Sequence, residues 1–184
     1  MDIDKGQLDR FEQRLRTGLV EISTSKGALG GKMLESDDLK DFWKRIEPNY
    51  MADAVSQINE YPTVAVAWAA YIGMAAAHYW DADWQNHKGD AYESLYGTDG
   101  FDNMDDHIVC DILKCKKGGN ENKQIVSLAQ SLADVAVSAI RYENVEPQSP
   151  MAFYVFARAC RAMFAIGAAV ELHKLGYSLQ KVGN

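Results

Sequence analysis

Between Val64 and Trp80 the chain carries no Asp, Glu, Lys or Arg, and a small residue returns at every fourth position: Ala65, Ala69, Gly73, Ala77. In an α-helix a four-residue step comes back to nearly the same face. The row is therefore a continuous groove, shallow enough for another helix to approach backbone to backbone. A helix apolar on every side belongs either in the centre of a bundle or in a membrane. A spanning helix needs about 20 strongly apolar residues. Here Ala and Gly dilute the run and His78 closes it, so the segment reads as the centre of a bundle. A second Ala-rich run, Met151 to Val170, supplies a partner of matching length. The expected fold is all-α: one domain of six or seven helices arranged around two long Ala-rich central helices.

The rest of the chain supplies the surrounding helices. Asp4 with Gln7 resembles a capping box, and Leu8, Phe11, Leu15, Leu19 and Ile22 follow at three- and four-residue steps. Residues 23–35, with Gly27, Gly30 and Gly31 among polar neighbours, read as a loop. Ser36 is placed to cap a second helix with the stripe Leu39, Phe42, Trp43, Ile46. Pro48 suits the first turn of a third, which would bury Tyr50 or Met51, Ala54, Val55 and Ile58. Pro62 opens the fourth helix, which runs to about Trp84. Residues 85–100 read as an irregular excursion with a short turn near Ala91 to Tyr96. A fifth helix would bury Phe101, Met104, Ile108, Ile112 and Cys115, stopping at Gly118-Gly119. A sixth would run from about Glu121 to Glu143. Ser149-Pro150 opens the seventh, which ends at Gly176 in a left-handed cap, and 177–184 is a tail. No stretch alternates as a strand would, no repeat recurs, and no linker divides residues 1–184 into domains.

A chain of 184 residues can bury roughly 70% of its unfolded surface without help from disulfides or metals. The net charge of −7 repels phosphate backbones and anionic headgroups, so neither nucleic acid nor membrane is an expected partner. The 3 cysteines, Cys110, Cys115 and Cys160, are odd in number and form no C-x-x-C pair. With no basic-then-apolar leader at the start, they point to a cytoplasmic setting.

Several motif-like stretches dissolve on inspection. Lys26 to Met33 lacks the Gly and the Ser or Thr of a phosphate loop. Asp81 to Asn86 opens like a calcium loop, but Asn86 and Tyr92 stand where Gly and a bidentate Glu are needed. Asp99, Asp102, Asp105 and Asp106 sit where a helix start favours negative charge. Cys110 has His107 three residues back but neither an oriented base nor an oxyanion hole. Asp83 with His87 and His107 with Asp111 are spaced for one helix face. Joined by His78 or Asp81, they could hold a divalent metal from facing helices, and only if the pairs converge. No other cofactor is expected. Arg158 and Arg161 stand three apart in the otherwise apolar last helix. Arginine is almost never buried without a partner, so either acidic groups such as Asp134, Asp53, Asp81 or Asp83 neutralise them, or they line a cleft for a small anion.

Three functions follow from these residues. The first expectation is a non-catalytic module that binds a protein partner or itself, since Tyr71, Tyr79, Trp80 and Trp84 are more aromatic bulk than one helix readily covers. The second is a binder of a small anionic ligand at Arg158 and Arg161, with Asp134 and His78 nearby. The third is a metal-dependent hydrolase using His78, Asp81, Asp83, His87, His107 and Asp111.

Overall fold

The computed structural model describes residues 3–178 and 181–182. Among the described residues are six α-helices: α1 (Lys5–Ser25), α2 (Asp37–Ala54), α3 (Pro62–His87), α4 (Met104–Asp106), α5 (Asn120–Tyr142) and α6 (Pro150–Lys174). The two Ala-rich helices, α3 and α6, lie against each other at the centre. Contacts along the pair rise together in number: Ala65 with Cys160, Ala70 with Gly167, His78 with Glu171. The two helices are therefore parallel. α5 packs against both of them, and α1 packs on α6 and α5.

The small-residue row works as its spacing demands. Ala65, Ala69 and Ala77 are fully buried. A Cβ built on Gly73 would lie 2.1 Å from the Phe164 carbonyl oxygen, and one on Gly167 would lie 2.0 Å from that of Ala70. Each glycine receives the other helix's backbone, and no methyl group fits between. α6 is long and apolar enough to cross a membrane, but 72% of its most apolar window is buried within the fold.

Three expectations need correction. The second and third helices are one, because α2 runs through Pro48. Leu39, Phe42, Trp43, Ile46, Tyr50, Met51 and Ala54 form one unbroken buried stripe across the proline. Pro48 is solvent-exposed, as is Lys44, whose carbonyl loses its helical donor because proline has no N–H. The expected fifth helix is instead a short 3-10 turn (Phe101–Asn103), α4, and a π-helical stretch (His107–Ile112). Met104, Ile108, Ile112 and Cys115 are buried as expected, and nothing in the residue types signals the wider turn. Lastly, Lys181–Val182 pairs in parallel with Glu35–Ser36, a two-residue bridge within the stretch read as a loose tail.

The caps follow the sequence more closely. Asp4 accepts from the Gln7 N–H at 3.0 Å, and Ser149 from that of Ala152 at 3.1 Å. Gly176 has φ 99° at the end of α6. Ser36 stands at the N-cap of α2, yet its hydroxyl caps nothing.

Glycine inside a helix normally costs up to about 1 kcal/mol relative to alanine. Gly18 in α1 has only an ordinary 3.5 Å neighbour for an added Cβ. Gly18→Ala is therefore expected to raise stability by up to about 1 kcal/mol. Gly73→Ala is expected to reverse the sign, losing about 1–3 kcal/mol or more through overpacking. Urea unfolding of the two variants beside the parent chain checks both.

Candidate functional site

Arg158 and Arg161 leave α6 toward α1, and the carboxylate that receives them is Glu12. Arg158 Nη1 donates to Glu12 Oε1 at 3.0 Å and to Asp9 Oδ1 at 2.8 Å. Arg161 Nε donates to Glu12 Oε2 at 2.9 Å, and its Nη2 donates to Oε1, a bidentate fork. Asp134 is not the partner: it is exposed on α5 and accepts from Gln130 on its own helix. The signal for Glu12 was present in the sequence. It falls four residues after Leu8 and three before Leu15, on the buried face of α1, and only 7% of it is exposed.

This ion-pair cluster closes one end of a cleft of about 520 Å³ between α1, α2 and α6. Asp9, Glu12, Gln13 and Arg16 line it from one face of α1, and Ser36, Leu39, Lys40, Trp43 and Lys44 from one face of α2. From α6 come Arg158, Arg161, Phe164, Ala165 and Ala168. The floor is apolar, with the Trp43 and Phe164 rings 5.0 Å apart. Ala165 puts only a methyl group into this space, and the gap stays open above it. At the other end Glu35 pairs with Arg16 and, at 3.4 Å, with Lys40. Five cationic side chains thus meet three carboxylates (Asp9, Glu12, Glu35) in a protein whose net charge is −7. Ser36 and Trp43 are each 2% exposed, and Ser36 Oγ and Trp43 Nε1 have no hydrogen-bond partner. Buried polar groups are nearly always paired. Among the described residues Ser23 Oγ and Tyr92 Oη, outside the cleft, are unpaired as well.

No protein-family model, curated protein or solved structure matches this chain.

The histidines disperse. His78, half-buried on α3, faces Glu171 at 3.3 Å, and Glu171 also approaches Lys174, which pairs with Glu121. Burial pushes the Glu171 carboxyl above its ordinary range, against the pull of Lys174 and His78. The expected Asp83–His87 pair does not form. The backbone breaks from helix at Asp83 (φ −165°, ψ 66°), whose carboxylate accepts from Asn86. His87 instead stacks on Tyr79 at 3.7 Å and faces Asp90 at 2.8 Å. His107 and Asp111 do pair, at 2.9 Å, and Asp81 accepts from the Tyr177 hydroxyl. Among the described residues no three His, Cys, Asp or Glu side chains gather as a metal ion requires. Burial and the nearby Asp106 and Asp111 raise the Cys110 thiol pKa, the opposite of what a nucleophile needs.

Of the aromatics expected to lie open on α3, Tyr71 is buried and Tyr79, Trp80 and Trp84 are partly covered by the chain itself. Trp84 packs on Phe42, and Trp80 donates to Asp38. The exposed large apolar side chains lie elsewhere, among them Tyr61, Tyr142, Phe153 and Tyr154.

Glu12→Gln keeps the shape and removes the charge between the two guanidinium groups. It is expected to cost roughly 1.5–3 kcal/mol by urea unfolding, toward the low end because the Arg161 side chain is 45% exposed. Burial also raises the Glu47 carboxyl pKa, outweighing the nearby Arg161. A carboxyl whose folded pKa is raised favours the fold when protonated and loses that contribution as pH rises through its folded pKa. Glu47→Gln, which mimics the protonated form, is expected to melt above the parent chain at pH 7. The difference should close as pH falls toward 4, as scanning calorimetry across that range will read.

Proposed function

We propose that this protein binds a small amphipathic organic anion in the cleft between α1, α2 and α6, without acting on it chemically. The observation that carries this reading is the pair of buried, unpartnered polar atoms, Ser36 Oγ and Trp43 Nε1, on residues lining that cleft. An indole N–H can only donate, so what completes it must bring an acceptor. Leaving such a group unpaired costs about 1–3 kcal/mol, which a ligand oxygen would recover. The rest of the lining agrees with that demand. An aromatic and aliphatic floor offers an apolar body its burial, and the cations above it favour negative charge. The volume falls within the usual range for small-molecule sites, roughly 300–1,000 Å³.

The other two readings have less support. A metal-dependent hydrolase needs converging ligands, and His78, His87 and His107 each face a different carboxylate. Self-association through α3 draws on aromatics of which Tyr71 is buried and Tyr79, Trp80 and Trp84 are partly covered by the chain's own folding.

The test is a ligand that reports on an apolar cationic cleft, 1-anilinonaphthalene-8-sulfonate. The native protein is expected to bind it saturably, one per chain, with enhanced fluorescence. Ala165→Phe fills the gap above the floor and is expected to weaken binding at least tenfold while the protein still unfolds cooperatively. That control matters because this dye also lights up loosely packed states. No saturable binding to the native chain, or equal binding by the filled variant, would sink the proposal.

A further inference from the structure

Among the side chains that line the cleft, each end is left with one positive charge. At the end that Glu12 closes, Arg158, Arg161 and Lys44 meet the carboxylates of Asp9 and Glu12. At the other end, Arg16 and Lys40 meet that of Glu35. Glu47 near the first end, and Asp37 and Asp38 near the second, stand outside the lining. The guanidinium groups are engaged, Arg158 and Arg161 by Glu12 and Arg16 by Glu35. The lysines are freer. Lys44 makes no ion pair with any described residue, and Lys40 reaches Glu35 at 3.4 Å, sharing it with Arg16. Both lysines are exposed and stand one turn apart on α2, about 6 Å along its axis. Like charges at that spacing repel. The row beside them on the same helix is Leu39 and Trp43, both buried, and Trp43 packs on Phe164 at the floor. Glu47, three residues beyond Lys44, senses the charges of Arg161 and Arg158, which puts Lys44 at the Glu12 end. Glu35, just before α2, puts Lys40 at the other.

Building on the proposed function, we infer that the ligand is a short linear dicarboxylate, bound with one carboxylate at Lys40, the other at Lys44, and its methylene chain against Leu39, Trp43 and Phe164. One such molecule answers the excess charge at both ends and relieves the repulsion between the two lysines. A monocarboxylate answers one lysine and leaves the other bare. A phosphate monoester brings both of its charges to one point. Adipate, extended, spans a distance comparable with the rise between the two lysines. Once one carboxylate is seated, the second makes its contact without a further loss of translational freedom. Arg158 and Arg161, the residues that first suggest an anion site in the sequence, are then structural. They hold α6 to α1 and close one end.

The test is competition against bound 1-anilinonaphthalene-8-sulfonate by adipate, monomethyl adipate and dimethyl adipate, all at pH 7 and one ionic strength. Adipate is expected to displace the dye at about tenfold lower concentration than its monoester, the worth of one more charged contact. The diester, without charge, should displace it least. Lys40→Gln and Lys44→Gln should each bring adipate to within about twofold of the monoester, since either substitution leaves a single free lysine for both ligands. Lys116→Gln, which removes a charge outside the cleft, should leave adipate within about twofold of its value on the parent chain. An adipate advantage that survives either lysine substitution overturns the inference. So does a Lys116→Gln loss as large as those of Lys40→Gln and Lys44→Gln, which marks a response to net charge alone. Dye binding that Ala165→Phe abolishes, but that adipate displaces no better than its monoester, leaves the cleft reading standing and removes this one. A native chain that binds no dye removes both.

Discussion

Two glycines set the distance at which α3 and α6 run, and every other helix takes its position from that pair. Gly73 faces the Phe164 carbonyl and Gly167 the Ala70 carbonyl, each at a separation that admits no Cβ. Packing this close replaces side-chain interdigitation with backbone contact over the length of the small-residue row. Dispersion attraction falls away within an ångström of radial gap, so the contact works only while both glycines are bare. The helices are parallel, which puts their N-termini at one end of the molecule. α5 closes over the pair, α1 packs on α6 and α5, and α2 adds its aromatic stripe through Phe42 and Trp43 against Phe164.

The cleft is a consequence of that arrangement. α6 has small side chains where it meets α3, and it keeps them around to Ala165 and Ala168, where it meets α1 and α2. A helix packed so tightly on one side cannot move outward to fill the gap on the other. The chain instead bridges the opening at its ends with charge. Glu12 clamps Arg158 and Arg161 at one end, and Glu35 binds Arg16 and Lys40 at the other. Ion pairs of this kind add modestly to stability. They also tie α1 to α6 and α1 to the start of α2 around the apolar floor. Ser36 Oγ and Trp43 Nε1 are left without a hydrogen-bond partner among the residues that line the opening.

How far the sequence could be read differs from one element to the next. The four-residue row of Ala and Gly fixed the central pair, because a helix apolar all round and too weakly hydrophobic for lipid has one place to go. The caps at Asp4 and Ser149 and the left-handed Gly176 followed from local chemistry. Pro48 misled, since a proline inside a helix is usually a boundary. The buried stripe that continues from Ile46 to Tyr50 was the stronger evidence, because it keeps one helical face running across the proline. The π-helical turn after Asp106 was illegible, as the same residues would satisfy an ordinary α-helix.

The sequence by itself determined the all-α fold, the helix that others pack around, and the fact that Arg158 and Arg161 need acidic partners. Each of these depends on residues within a few turns of one another, or on a burial rule that applies to any arginine. Which carboxylate answers the arginines was decided only in three dimensions, because Glu12 is about 150 positions away along the chain. The dispersal of the histidines was decided there too. A spacing of four places two side chains on one face, but the direction of that face depends on how its helix is rotated against the others. The cleft belongs wholly to the tertiary structure. Its walls come from three helices that share no local signal, and it exists because a close contact on one side of α6 leaves room on the other.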